Sequence, residues 1–193
     1  MKKLVFIIIM TLTLFLPEGH ACVGKTLTIG VVNTSEGQVL AEMISTLITE
    51  RTGTAVNVAF YENMQDLYEA VRVTKVDISI ENTSRAMRVL NKPAEADVQK
   101  AYEIVKASYE KEKGLIWLKP FGFQKGGGDG TPSITATILR NEILNNFPAL
   151  PRLINKLGSS INDDMYTKLI NSVETGRKPG SVARDFLKSK KLI

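Results

Sequence analysis

Histidine and cysteine are nearly absent from this sequence, with one residue of each among 193. His20 and Cys22 both lie near the amino terminus, so the rest of the chain contains neither residue type. It therefore cannot form a histidine general base, a Cys–His nucleophile or a usual zinc site. No spacing of Asp and Glu residues singles out a catalytic carboxylate pair either. We expect a protein that is not an enzyme and that holds no metal and no cofactor.

Apolar runs long enough to span a membrane are also missing. The longest, residues 4–16, is shorter than the roughly 20 residues that a membrane helix needs. It follows the positive end Met1-Lys2-Lys3 and precedes Gly19-His20-Ala21, a small-x-small pattern typical of signal-peptidase cleavage. This arrangement predicts a signal peptide over residues 1–21 and an exported chain over residues 22–193. An uncleaved anchor is the alternative.

Cys22 is the first residue after the predicted cleavage point. A cysteine at this position resembles that of bacterial lipoproteins, in which acylation of the thiol anchors the protein to a membrane. Gly19, however, stands where lipoprotein signals usually carry leucine. Two forms stay open: a periplasmic or secreted protein, and a lipoprotein that reaches the membrane only through Cys22.

A strong excess of one charge is lacking too. The net charge is +5, and the basic residues are interleaved with acidic ones along the chain. Such interleaving is typical of a solvated surface rather than of a basic stripe. We therefore expect no nucleic-acid partner.

Strand and helix patterns alternate at the start of the exported chain. Apolar alternation predicts strands at Leu27–Val31, Val56–Phe60 and Val76–Ile80. Amphipathic helices lie between them, and the first is predicted to be capped by Ser35 and to end at Gly53. The order predicts an α/β fold with a mostly parallel sheet flanked by helices.

A ligand site in such a sheet is expected beyond the carboxyl ends of the strands, at residues 33–36 and 81–85. Further along, apolar spacing predicts a helix over Pro93–Lys113 and a short strand over Leu115–Leu118. Residues 119–133 are rich in glycine and contain two prolines, which predicts a loop. The remainder is predicted to be helical, with stripes at Ile138–Leu144, Leu150–Leu157 and Met165–Val173, a cap at Asn162 and a final helix over Ser181–Leu187.

Several stretches, taken in order, resemble the substrate-binding proteins of glycine betaine, choline and related osmoprotectant ABC importers. They are Thr28-Ile29-Gly30 with Asn33 and Glu36, Leu40–Met43, Asp77-Ile78 with Glu81 and Thr83, Tyr102 through Gly114–Leu118, and Val173 through Gly176–Pro179 and Val182–Leu187. The resemblance implies a type-two periplasmic-binding fold with the C-terminal helices packed on the sheet. It also implies a periplasmic location and an ABC permease as partner.

The resemblance fails where such proteins carry their second lobe, which is inserted after the Trp-containing strand. Here that position holds only the glycine-rich loop of residues 119–133. A domain with its own core needs about 50 residues or more. The sequence therefore predicts a single lobe over residues 22–193, with the loop replacing the second lobe.

The ligand half-site that the resemblance implies consists of six residues. They are Asn33, Glu36, Ser79, Glu81, Asn82 and Thr83. The family's two tyrosines, which grip a quaternary ammonium by cation–π attraction, fall at Ser79 and Asn82, and its glutamine falls at Gly37. Purely structural roles are the alternative: Glu36 favours the start of a helix, Thr83 caps the next one, and Glu81 pairs with Arg85.

Loss of a lobe also predicts an uncovered surface. Phe121 and Phe123 lie among glycines near that edge and form a candidate interaction patch, whereas Trp117 is expected in the core. The partner is then an ABC permease, another protein or a second copy of this chain. We expect a degenerate, exported relative that acts as an accessory or protein-interaction module. The alternative is a working substrate-binding component of an osmoprotectant importer.

Overall fold

The computed structural model describes residues 25–124 and 130–193, with the side chains of residues 123 and 124 left out. The predicted signal peptide, Cys22 and residues 125–129 of the glycine-rich segment lie outside the described residues. The strands are β1 (Leu27–Val32), β2 (Val56–Tyr61), β3 (Ile78–Asn82), β4 (Leu115–Trp117), β5 (Gly122–Gln124) and β6 (Ser133–Arg140). The helices are α1 (Ser35–Thr52), α2 (Met64–Arg72), α3 (Thr83–Val89), α4 (Val98–Lys113), α5 (Leu150–Gly158), α6 (Asp163–Glu174) and α7 (Pro179–Ser189), with a 3-10 turn at Asn141–Asn145.

The six strands form one sheet, in the order β2-β1-β3-β6-β4, with β5 paired to β6. The predicted α/β fold is confirmed, and β1 pairs in parallel with both β2 and β3. The sheet is nevertheless mixed rather than mostly parallel, because β6 runs antiparallel to β3, β4 and β5. Strands β4 and β6 are neighbours in the sheet, and β5 lies between them in the chain.

Strand β6 is the largest departure from the sequence-based prediction. We expected a helix around Ile138–Leu144, but Ser133–Arg140 is a strand whose first seven residues are all buried. A strand buried on both faces reads as a continuous run without period-two alternation, and such a run does not distinguish strand from helix. The helical spacing continues past Arg140 only as the 3-10 turn.

Two helix starts also differ from the prediction. The cap of α1 is Thr34, whose Oγ1 accepts a 3.1 Å hydrogen bond from the amide of Gly37, whereas the predicted cap Ser35 is the first helical residue. Helix α4 begins after Asp97, whose side chain accepts from two backbone amides, and not at Pro93. Gly53 ends α1 as predicted, with φ of 70° in the left-handed region.

Helices cover the sheet on both faces. On one, the α1 face, α1 lies between the sheet and the three C-terminal helices α5, α6 and α7. A single large apolar cluster joins these four helices to β1 and β3. The other, the α4 face, is covered by α2, α3 and α4. Its apolar residues form two separate clusters, one around Trp117 and one around Leu67.

No helix within residues 25–124 and 130–193 combines the length and the hydropathy required to cross a membrane.

Candidate functional site

Strands β1 and β3 end at the same edge of the sheet, and the segments predicted to carry the site follow them directly. A small cavity of about 110 Å³ opens there, lined by Val31, Ile80, Met64, Glu36 and Arg85 among others. Small-molecule sites usually enclose about 300–1,000 Å³. The cavity at this edge is therefore much smaller than an ordinary ligand site.

Glu81 is almost completely buried at the end of β3, with 1% exposure. Its carboxylate accepts hydrogen bonds from the Tyr68 hydroxyl, from Arg85 Nε at 2.5 Å and from the Asn82 amide at 2.8 Å. Burial raises the pKa of Glu81, while the charge of Arg85 and the three donors favour the ionised form. The predicted pairing of Glu81 with Arg85 is present. This carboxylate is thus satisfied from within the protein.

Glu36 in the first turn of α1 is held in a similar way. The hydroxyl of Tyr166, on α6, donates to Glu36 Oε1 and shares a 3.1 Å hydrogen bond with Thr135 Oγ1 on β6. Burial raises the pKa of Tyr166, and the adjacent negative charge of Glu36 raises it further. The hydroxyl therefore stays protonated and ties α1, α6 and the sheet together.

The tyrosines that reach this edge serve the glutamates through their hydroxyl groups. Tyr68 lies on α2 and Tyr166 on α6, and each donates to one of the two carboxylates. The cation at the edge is the protein's own Arg85, which lines the cavity together with Glu36. Its charge is balanced within the protein, because Arg85 forms an ion pair with Glu81.

Asn33 and Ser79 do not line the cavity. Asn33 is exposed, and its Oδ1 accepts a 2.7 Å hydrogen bond from Gln38 Nε2. Ser79 is buried within β3, with 4% exposure. Of the six residues predicted for the half-site, Glu36 is the one found in the cavity lining.

Asn82 takes the capping role that the sequence suggested for Thr83. Asn82 is the cap of α3, because its Oδ1 accepts from the Arg85 amide at 2.9 Å. The predicted capping role of Thr83 is wrong, since Thr83 is fully buried and its Oγ1 accepts from the Ile134 amide at 3.2 Å. That bond connects α3 to β6, a strand that the sequence did not reveal.

Phe121 is not part of an exposed patch, because it is 4% exposed and belongs to the core of the α1 face. Its amide donates to the Thr135 carbonyl at 2.9 Å, which folds the segment before β5 against β6. The side chain of Phe123 lies outside the described residues. Trp117 is buried as predicted, with its ring edge-on to that of Tyr109 at 5.5 Å.

The two tyrosines are the site residues that sequence reasoning missed. Tyr68 lies 13 residues before the glutamate it contacts, and Tyr166 lies 130 residues after its own. A tyrosine on a helix of an α/β fold gives no local sign that its hydroxyl reaches a buried carboxylate. These tyrosines are found by asking which hydroxyl donates to each carboxylate at the strand ends, and only the tertiary structure answers that question.

The sheet has helices on both faces, and polar groups cluster at the carboxyl ends of its parallel strands. This arrangement defines a lobe of the periplasmic-binding-protein type. A family model described as the substrate-binding domain of the ABC-type glycine betaine transport system matches residues 25–133, more than half of the chain. The chain therefore belongs to this family of transport proteins.

Three solved structures illustrate the shared fold. A glycine betaine/carnitine/choline ABC transporter structure has a TM-score of 0.77 and 14% identity, and the match covers 87% of this chain and 98% of that one. Apo YehZ from Escherichia coli gives 0.75 and 13%, covering 88% and 100%. Lactococcal OpuAC, closed around glycine betaine, gives 0.55 and 10%, covering 86% and 96%. At these identities the likeness concerns the fold.

Proposed function

We propose that this chain is an exported, non-enzymatic member of the family that acts as an accessory, protein-binding module and does not bind the family's solute. The observation that carries the proposal is that both carboxylates at the strand ends already accept hydrogen bonds from the protein's own side chains. Glu36 is engaged by Tyr166, and Glu81 is engaged by Tyr68 and Arg85. A solute would have to displace these bonds to use either acid.

The side chains that line the cavity and its small volume also argue against solute binding. A quaternary ammonium is held by aromatic faces worth about 0.5–2 kcal/mol each. The cavity of about 110 Å³ has no aromatic side chain among the residues that line it, so it lacks both the volume and the rings for such a cation. Both the small volume and the lining therefore disfavour solute binding at this edge.

The partner that we propose is the permease of an osmoprotectant ABC transporter, since the family consists of ABC-transporter components. The surface that faces outward at the strand ends carries Asn33, Thr34, Glu62 and Asn63, all exposed. A polar edge of this kind suits a transient contact better than an obligate one. It also replaces the apolar patch that the sequence suggested.

Isothermal titration of the purified chain with glycine betaine and with choline tests the absence of solute binding. We expect no saturable heat, whereas lactococcal OpuAC serves as the positive control with glycine betaine. Saturable binding at micromolar ligand would overturn the proposal.

Biolayer interferometry against a purified permease in nanodiscs tests the partner. The variant Asn63→Arg on the polar edge should weaken binding, whereas Lys188→Glu on the exposed surface of α7 should leave it unchanged. Binding that is insensitive to Asn63→Arg would place the contact elsewhere. No binding at all would remove the permease as partner.

The second candidate, a working substrate-binding component, is favoured by one observation. Arg85 bonds Glu81 through Nε, and no hydrogen bond joins its Nη groups to any described residue. A guanidinium fork suits the carboxylate of a zwitterion such as a betaine. The glycine betaine titration decides between the two candidates, and Arg85→Gln should abolish any heat that wild type gives.

Export and the state of Cys22 form part of the proposal and need their own test. Mass spectrometry of the amino terminus of the exported chain should show cleavage after Ala21, with either a free thiol or a diacyl group on Cys22. An intact leader would contradict export by this route. Light scattering on the same sample distinguishes a monomer from a homo-oligomer.

A further inference from the structure

Strand β2 forms one edge of the sheet, and no strand among the described residues pairs with its outer side. It contains no charged residue and no proline, and it pairs with β1 over its whole length without a bulge. The opposite edge differs, because β4 and β5 have 3 residues each. Charge, proline, a bulge or a short length usually protects an edge strand from pairing with another chain. Strand β2 carries none of these protections.

Alternate residues of β2 direct their backbone groups to the outer side. The Tyr61 carbonyl accepts a 2.9 Å hydrogen bond from the amide of Asn33, which follows β1, so Tyr61 faces the inner side of β2. Successive residues of a strand direct their N–H and carbonyl groups to opposite sides. The N–H and carbonyl groups of Val56, Val58 and Phe60 therefore point away from β1, towards the open edge.

The side chains of these same residues share one face of the sheet, because side chains alternate along a strand. Val56 and Val58 pack against the apolar cluster of the α1 face. Phe60 is 47% exposed, more than Val73 at 40%, the other large apolar residue that is exposed in the described part of the chain. The open edge thus combines unpaired backbone groups with an uncovered aromatic ring.

The charges at the two ends of β2 have opposite signs. Arg51, in the last turn of α1, lies before the start of the strand, and Glu62 directly follows its end; both are exposed. Glu50, next to Arg51, is already paired with Arg184. In an antiparallel pair of β2 strands, Arg51 of each copy would lie at the same end as the partner's Glu62. A parallel pair would bring like charges together instead, which is unfavourable.

We propose that β2 pairs in antiparallel orientation with β2 of a second copy of this chain, which joins the two sheets across a twofold axis. With Val58 on the axis, Val58 lies opposite the partner's Val58, and Phe60 lies opposite the partner's Val56. Each outward N–H and carbonyl group of the edge then has a hydrogen-bond partner, and the Phe60 ring packs on the partner's Val56. The same surface serves both copies, as a twofold interface requires.

Sedimentation velocity of the purified chain over a series of concentrations tests the dimer. We expect a monomer–dimer equilibrium in the micromolar range. Phe60→Lys puts a charge on the edge and should weaken dimerisation by about tenfold or more. Val73→Lys is the matched control, because it changes the other exposed apolar residue, which follows α2 and is not part of the edge. It should dimerise as wild type does.

Three outcomes would overturn the proposal. A monomer from micromolar to millimolar concentrations would leave the edge to a strand of a different protein. A dimer that Phe60→Lys does not weaken would use another surface. Equal weakening by Phe60→Lys and Val73→Lys would show that added charge acts without regard to the edge. Circular dichroism checks that both variants are folded.

Cysteine cross-linking tests the orientation and the register, with Cys22→Ser removing the single cysteine of the chain. With Val58 on the axis, its Cα lies about 5.5 Å from its counterpart, within the range of a disulfide. Val58→Cys should therefore give a covalent dimer on mild oxidation, as seen by non-reducing electrophoresis. Ala59→Cys is the control, because in this register its counterpart lies more than about 7 Å away, beyond disulfide reach. Failure of Val58→Cys to cross-link, or cross-linking of Ala59→Cys to the same extent, would overturn this pairing.

Discussion

The two faces of the sheet are packed in different ways, although one chain and one sheet build both. On the α1 face, an 18-residue helix is covered again by three further helices, and one apolar cluster fills the space. On the α4 face, α2 and α3 have 9 and 7 residues and leave a cavity of about 580 Å³ beside α4. The two faces therefore differ in how completely side chains fill the space between the helices and the sheet.

Both faces contribute a polar side chain to the strand-end edge. Each face sends one tyrosine to a carboxylate at the strand ends, Tyr166 from the α1 face and Tyr68 from the α4 face. On the α4 face Tyr68 also lines the large cavity. The Tyr68 side chain thus lies between the strand-end edge and the cavity.

Leucine truncation should show the largest contrast between the faces. Leu47→Ala, at 0% exposure on the α1 face, should cost about 2–5 kcal/mol of unfolding free energy. Leu115→Ala borders an existing cavity and should cost less than about 2 kcal/mol, because fewer neighbours lose contact. Urea unfolding measures both. Equal losses would show that the α4 face is packed as tightly as the α1 face.

A larger side chain should change the free energy of unfolding differently on the two faces. Val39→Leu, at a fully buried position on α1, should destabilise by about 1–3 kcal/mol through overpacking. Val71→Leu, on α2 beside the cavity, should be neutral or stabilise by up to about 0.8 kcal/mol, one buried methylene. Both changes occur in helices, so their propensity effects match. A loss above 1 kcal/mol for Val71→Leu would contradict the presence of spare volume.

Alkaline pH should lower the free energy of unfolding through one tyrosine on each face. The folded-state pKa values of Tyr166 and Tyr68 are raised above the ordinary 10.0. Their contribution is therefore fully present below pH 10 and is lost as pH rises above it. Each should cost up to about 1.4 kcal/mol per pH unit.

Unfolding free energies between pH 9 and pH 11 check this expectation. Tyr166→Phe and Tyr68→Phe should each show a shallower decline than wild type, although each lowers stability at pH 7 by leaving a carboxylate with one donor fewer. A decline as steep as that of wild type in either variant would mean that the mutated tyrosine is not the group responsible.

The smallest effects should come from the helix caps. Thr34→Ala for α1 and Asn63→Ala for α2 should each cost about 1 kcal/mol, because each side chain accepts a backbone amide bond. Ser35→Ala should be close to neutral, since Ser35 is the first helical residue rather than the cap. Thermal unfolding compares the three variants. A larger loss in Ser35→Ala than in Thr34→Ala would restore the cap expected from the sequence.

Several elements of the first half and one helix cap of the second could be predicted from the sequence because their signals are local. The strands from Leu27 and Val56, the end of α1 at Gly53 and the cap of α6 at Asn162 follow from periodicity and cap chemistry. The starts of α1 and α4 were displaced because more than one polar residue competes for each cap. The positions of Glu36 and Glu81 at one edge also followed, from the order of the elements.

What the sequence by itself determined is therefore the α/β class, the shared edge of β1 and β3, the resemblance to glycine betaine transport proteins and the pairing of Glu81 with Arg85. Only the tertiary structure decided that Ser133–Arg140 is a strand, that Tyr68 and Tyr166 hold the two glutamates, that Phe121 is buried and that a cavity remains between α2 and α4. The physical reason is distance along the chain. Periodicity and caps act over a few residues, whereas burial on both faces, hydrogen bonds between distant elements and unfilled volume depend on which elements meet.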